Sequence, residues 1–322
     1  MIISKTPFRV SLFGGSTDYE SYYSQYGSFL IGFTINRYCY LCVRKTPKIF
    51  NYKTKVGYSA IEIVNNNKDI KHDGVRGVLQ FLKIKYGVEI SYLADLPSKA
   101  GIGSSSSFIV GLLNALHTLN NRTRTKKELA EEAIYVERKL LNESGGIQDQ
   151  IWAAYGGLNS IYIDRDGSFE VKPLCVSELF IEDFLDRSVM IYTGHDRNSF
   201  KIAQSYNQKA SQKYKHDIAK IAREARNKFE DKDIDGIGTL LDKSWQCKKS
   251  ISTLISNTEL DEMYKSLKKD GVIGAKLLGA GGAGFMFGIL KDNVDKSSFK
   301  KKYRNNYVDF QLDQKGSIVI HE

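Results

Sequence analysis

The chain is poor in the residues that make special-purpose scaffolds. Its 322 residues include four cysteines, four prolines, four methionines and two tryptophans. Four cysteines at this length do not make a disulfide framework. Cys39 and Cys42 spell CxxC, but YCYLCV reads as a strand, where an odd offset sends the two side chains to opposite faces. With no second pair downstream, they read as plain thiols in a reducing cytoplasm, not as a zinc or redox site. No run of about 18 apolar residues exists, so no membrane partner is expected. The opening MIISKTPFRVSLF has neither the apolar region nor the cleavage site of a secretory leader. A GxxxxGK[ST] stretch is also missing, which excludes a P-loop kinase.

What is present begins with charge. Lys and Arg number 47 against 37 Asp and Glu, a net +10. The cations are spread along the chain, with modest clusters at 213–228 and 296–304 that read as solvated helix faces. No nucleic-acid partner is therefore expected. A basic surface also suits an anionic, phosphorylated small substrate through long-range attraction. The hydrophobic content of 42% is ample for a core, and the length suits two domains.

Glycine carries most of the information. In DLPSKAGIGSSSSFIVGLLNALH, a strand becomes a loop at Pro97. A helix then follows through Phe108, Leu112, Ala115, Leu116 and Leu119. Gly101 and Gly103 let backbone pass close to a ligand. Four serines stand where the helix begins, so free N–H groups and the helix dipole make an anion site, with phosphate as its natural occupant. The plainer reading, a connector that caps the helix, needs one serine rather than four.

A strand over 2–13 runs into Gly14-Gly15-Ser16-Thr17-Asp18-Tyr19, a tight turn with Asp18 at its lip. Asp18 could equally satisfy the turn's own N–H groups. Strands are expected at 29–34 and 38–44, a polar loop at 64–73 and a helix at 75–86. His72 before that helix is a capping residue or a phosphate contact. An amphipathic helix over 126–141 carries the stripe Leu129, Ala133, Val136, Leu140, with Glu131 and Glu132 paired to nearby cations at the surface. Glu137 sits beside the stripe, an uncomfortable place for a surface carboxylate. The bend at Gly145-Gly146 precedes a short helix over 147–155. Asp149 lies in its first turn as a capping carboxylate, a base or a metal ligand.

A strand pair closes the first domain, which is expected to span residues 1–184. In the second, 185–322, a strand at 188–193 precedes helices up to 269. Strands at 271–278 and 285–290, a helix at 293–304 and a last strand at 307–312 follow. That order predicts helices on one face of an antiparallel sheet. The GAGGAG at 279–284 matches GxGxxG literally, but a strand follows it and KKYRNN stands where a ribose-binding acid belongs. It reads instead as a glycine loop joining adjacent strands, closing on another loop or on phosphates at 101–106.

The stretches TPFRVSLFGGSTDY, LPSKAGIGSSSSF and KLLGAGGAGFMF resemble, in order and texture, the three signature motifs of the GHMP kinase family. The resemblance spans essentially the whole chain. Galactokinases carry Glu-His before the Thr-Asp where this chain has Gly15-Ser16. FGGSTDY together with GGIQDQ is most similar to the branch of D-glycero-D-manno-heptose 7-phosphate kinases, which usually has a third glycine where Ser16 stands.

That resemblance implies an α+β fold of two domains: a ribosomal S5 domain 2-like ATP-binding half and a ferredoxin-like C-terminal half. It implies a cytoplasmic enzyme that uses ATP and Mg²⁺ to phosphorylate the C1 hydroxyl of a sugar phosphate. The reaction takes heptose 7-phosphate to the 1,7-bisphosphate, for nucleotide-activated heptose used in surface polysaccharide. Pro97, Lys99, Gly101, Ile102, Gly103, Ser104, Ser105 and Ser106 then cradle ATP, and Ser105 and Glu137 hold the metal. Asp149 is the base and Arg9 the cation beside it. Gly14, Gly15, Ser16, Thr17, Asp18, Gly146, Arg197, Gly279, Gly281 and Gly282 face the substrate. Arg44, His72, Lys99 and Arg197 are candidates for its distal phosphate. The competing readings are a kinase for a fucose- or galactose-type sugar, one for a mevalonate-type alcohol, and a catalytically dead binding protein. Intact Ser105, Glu137 and Asp149 argue against the last.

Overall fold

Alternation along IISKTPFRVSLF makes β1 (Ile2–Phe13) and sends Phe8, Val10 and Leu12 fully into the core. The computed structural model describes residues 1–194 and 212–321. The two strands expected at 29–34 and 38–44 are one 18-residue strand, β2 (Ser28–Lys45), antiparallel to β1. Their register shifts between Pro7 and Phe8, where proline has no N–H to give the ladder. The strand runs on through this shift, and the Asn36 side chain accepts the Gln311 amide at 2.8 Å.

β2 is the hub of a nine-stranded sheet. Its second half pairs with β5 (Val88–Ala94), beyond which lie β3 (Thr54–Gly57) and β4 (Ile61–Val64), the latter ending where the polar loop expected at 64–73 begins. Its first half pairs with β6 (Leu158–Ile163), which pairs in turn with β7 (Phe169–Pro173). A short helix, α1 (Glu20–Tyr26), precedes β2. The helix expected at 75–86 is α2 (Asp73–Phe81), shortened because Lys83 takes a left-handed φ of 53°. His72 is its cap, accepting the Val75 amide at 3.3 Å.

Against β1 and β2 lies α3 (Ser104–Leu119), whose Phe108, Leu112, Ala115 and Leu116 are buried as their spacing predicts. The helix expected over 126–141 is α4 (Lys126–Tyr135) followed by a π turn at Val136–Leu140. Val136 and Glu137, both wholly buried, lie in that turn. α5 (Gln148–Tyr155) follows the glycine bend.

In the second half, α6 (Glu178–Asp186) leads to β8 (Ser188–Tyr192). Then come α7 (Gln212–Glu230), α8 (Ile234–Lys249), α9 (Thr258–Lys269), β9 (Val272–Leu277), β10 (Phe285–Leu290) and α10 (Lys296–Lys302). The sheet order is β8-β10-β9, all antiparallel. The last strand is not where it was expected. Tyr307 makes a single bridge to Ile191, and the chain then crosses back. β11 (Leu312–Asp313) joins β2 and β12 (Ile318–His321) joins β1. Phe310 explains the crossing: it packs on Phe33 of one sheet and Phe287 of the other. The two sheets thus share an aromatic core beneath the cleft, where Phe33 and Phe287 stand 5.8 Å apart.

Candidate active site

The centre of the site is an ion pair. Arg9 on β1 is 4% exposed and reaches Asp149 with two nitrogens, Nε at 2.8 Å and Nη2 at 2.7 Å. Such a fork on a carboxylate fixes both partners in one orientation. Its Nη1 donates to the Gly101 carbonyl and its backbone N to the Ile102 carbonyl at 3.1 Å, so β1 grips the glycine turn. Asp149 is 25% exposed, toward the cleft. It does not cap α5, since Arg9 engages both its oxygens. The free Gln148 amide at that helix start goes to Asp18 instead, at 3.3 Å.

The glycine-serine turn behaves as its composition predicts. Gly103 caps α3 with a left-handed φ of 75° and offers no side-chain cap, leaving the first amides of the helix for a ligand. The four serines divide their work. Ser104 Oγ accepts the Lys99 amide at 3.2 Å, Ser106 donates to Glu137 at 2.8 Å, and Ser107 donates to the Pro7 carbonyl at 2.9 Å. Ser105 is the exposed one, on the cleft wall. Ser105 and Glu137, the pair expected at the metal, both line the cleft, and the hydroxyl that orients Glu137 is that of Ser106.

Glu137 is wholly buried. Ser106, Gln150 and Arg138 all point at Oε2, while Oε1 has no hydrogen-bond partner. Burial pushes its pKa up, against the pull of Arg138. A buried carboxylate oxygen left bare beside a phosphate-shaped turn fits a hard cation.

Asp18 is held on the opposite wall. Its Oδ1 accepts the Ser16 amide at 3.0 Å, and Ser16 adopts φ 81°. That left-handed backbone explains why the similar branch places glycine there. Burial, and then the nearby charge of Asp149, push Asp18 up to about 6. Because this raises the folded-state value above 3.8, ionising Asp18 costs the fold stability that rises through pH 4–6 and is complete above. Asp18→Asn should therefore gain on the wild type by about 1–3 kcal/mol between pH 4 and 7. Urea midpoints at both pH values measure it. A pH-independent difference would place the Asp18 pKa in the ordinary range.

These pieces line a cleft of about 420 Å³ between the two halves. Of the residues expected at the site, it contains Arg9, Gly15, Ser16, Asp18, Lys99, Gly101 and Gly103. It also contains Ser104, Ser105, Ser106, Glu137, Gly146, Asp149 and Gly279. Others are elsewhere. Thr17 locks its own turn by donating to Gly14 O at 2.7 Å, and a Cβ on Gly14 would run into Phe29 O. Pro97 is exposed away from the lining and Ile102 is core. Gly281 and Gly282 close on Ile255 rather than on the cleft, the Gly282 amide meeting Ile255 O at 2.9 Å. Arg44 pairs with Glu89 at the surface, so neither it nor the capping His72 lines the cleft. Arg197 lies outside the described residues.

The glycine loop does join adjacent strands, and it does close on a loop: a Cβ on Gly284 would lie 2.1 Å from Ala100 O. Sequence reasoning missed the cleft residues Ser11, Arg138, Gln148, Lys248 and Lys276. Ser11 orients Gln148 at 2.7 Å. Lys276, an amine inside the apolar strand VIGAKL, was the one with a readable signal.

Known proteins bear on this geometry. Residues 73–157 match the GHMP kinases N terminal domain and residues 218–309 the GHMP kinases C terminal model. The chain is 30% identical to D-glycero-alpha-D-manno-heptose 7-phosphate kinase of Campylobacter jejuni subsp. jejuni serotype O:2, over 98% of this chain and 97% of that protein. In fold it is similar to the crystal structure of a D-glycero-D-manno-heptose 1-phosphate kinase from Bacteroides thetaiotaomicron. The TM-score there is 0.81 at 21% identity, covering 100% and 99% of the two chains. It also resembles Lactococcus lactis galactokinase complexed with galactose, with a TM-score of 0.75 at 18% identity over 99% and 94%. With both domain models matched and a relative 30% identical over 98% of its length, the chain belongs to the GHMP kinase family.

Proposed function

We propose that this ATP-dependent sugar kinase phosphorylates the anomeric C1 hydroxyl of a heptose 7-phosphate. The observation that carries the reading is the Arg9–Asp149 fork at the edge of the serine turn, one carboxylate facing a cleft beside a phosphate-shaped backbone. The relative of 30% identity supports the choice of sugar.

Phosphoryl transfer asks mainly for positioning and charge neutralisation. Amides of the turn at Gly101–Ser106 receive the phosphates of ATP. Asp149 accepts the proton of the C1 hydroxyl as that oxygen attacks the terminal phosphorus, and ADP leaves. Arg9 orients Asp149 and offsets charge gathering nearby. Asp18 and the Gly15-Ser16 amides receive sugar hydroxyls, and Lys99, a cation of the cleft wall, would meet a distal phosphate. Glu137 and Ser105 would hold Mg²⁺, with Ser106 orienting Glu137. The ion would supply Lewis-acid neutralisation of phosphate charge. Among the described residues no group of three or more His, Cys, Asp or Glu converges on a metal site. Mg²⁺ needs none, since it takes one or two carboxylates together with phosphates and water.

The deciding experiment is ³¹P NMR of the protein with Mg-ATP and D-glycero-D-manno-heptose 7-phosphate. A sugar 1-phosphate resonance growing in step with ADP is expected. ADP without it would mean hydrolysis and a wrong sugar. No ADP with any of a panel of sugars would remove the sugar-kinase assignment.

A further inference from the structure

A buried cation of the cleft has no role in that scheme. Lys276 stands on β9, three residues before the glycine loop, and it is buried. Its Nζ crosses from the second half of the molecule to the first and donates to Leu12 O at 2.8 Å. That bond uses one of three ammonium protons. The other cations of the cleft are accounted for, Lys99 being the one assigned above to a distal phosphate. Arg9 is forked on Asp149, Arg138 lies 3.4 Å from Glu137, and Lys248 reaches Leu277 O and Gly279 O. Among the described residues no carboxylate stands within ion-pair distance of Lys276. The charge acting on it is Arg9, a like charge, and burial followed by that repulsion pushes it down to about 7. A buried amine on a ligand-sized cleft, with donors to spare and no counter-ion, is built for an anion that arrives.

The position says which anion. Lys276 lies beside Arg9, whose partner Asp149 meets the acceptor. The loop that follows β9 rests on Ala100, at the serine turn. We infer that the Lys276 ammonium, anchored on Leu12 O, donates to the terminal phosphoryl oxygens of a nucleoside triphosphate in the cleft. The inference rests on the kinase reading. It adds a phosphate contact from the second half of the molecule, which closes the two halves around the group being transferred.

Calorimetry with two nucleotides and no sugar tests it. In Lys276→Met, the Kd of adenosine 5′-(β,γ-imido)triphosphate should rise by about tenfold or more, while that of ADP moves less than about twofold. Lys276→Arg, which keeps the charge, should recover most of the triphosphate affinity. Equal weakening for both nucleotides with a lower Tm would make Lys276 a strut between the halves and overturn the inference, as would unchanged binding of both. Should Lys276→Met not fold, Lys276→Gln, uncharged but still a donor toward Leu12 O, carries the same comparison. A wild type that binds no triphosphate would sink the kinase reading itself. A wrong acceptor sugar leaves this result untouched.

Discussion

Asp149→Asn lowers kcat by on the order of 10²-fold or more and changes the Kd of ATP by less than about twofold. The size follows from what the amide keeps and loses. Asn has the shape of Asp, so α5 and the serine turn hold their places, and one oxygen still accepts from Arg9. It cannot take a proton from the attacking hydroxyl. Arg9, 4% exposed, then faces one acceptor instead of two. That should cost about 1–3 kcal/mol of stability, and a Tm measurement separates this loss from the loss of turnover. Nucleotide affinity is spared because, in this reading, the phosphates rest on backbone amides of the serine turn and not on the Asp149 side chain. Turnover near the wild-type rate would remove Asp149 from the base role and leave it a positioning partner of Arg9.

Much of this site was legible because glycine and charge are read locally. Gly101, Gly103 and the serine run announce an anion cradle within seven residues, and Glu137 stood out as a carboxylate beside an apolar stripe. The missing parts depend on contacts distant in sequence. Ser105 and Ser106 are equivalent in the sequence. Glu137 lies in the π turn after Tyr135, which periodicity reads as continuous helix, and it meets Ser106 rather than Ser105. β2 reads as two strands because Asn36 and Arg37 break the pattern, and Asn36 meets its partner Gln311 some 275 positions away. The return of β11 and β12 to the first sheet hangs on Phe310 finding two other rings. Lys276, a charge inside an apolar strand, was passed over, and its partner Leu12 O lies 264 positions away.

Gly146→Ala should cut kcat/KM by about 10²-fold, since displacing reacting groups by about 1 Å costs that much. The cause is overlap alone, because the backbone there is one that alanine adopts. A Cβ on Gly146 would lie 1.7 Å from Asp18 Oδ2 and 2.2 Å from its Cγ. Asp18 cannot swing aside cheaply. It is buried, and its oxygens hold the amides of Ser16 and Gln148. If it moves, the first turn of α5 moves with it, and Asp149 is one residue further on. Overpacking of this kind should also cost about 1–3 kcal/mol of stability. Removing the obstacle supplies the check. Asp18→Ala alone leaves two buried amides unpaired, while Asp18→Ala with Gly146→Ala puts the new methyl into the space the carboxylate vacates. The double variant should therefore be no less stable than Asp18→Ala by itself, a non-additivity of about 1 kcal/mol or more. Strict additivity in urea unfolding would mean that the 143–147 loop, not Asp18, yields to the methyl group, and that Asp18 does not hold the start of α5 in place.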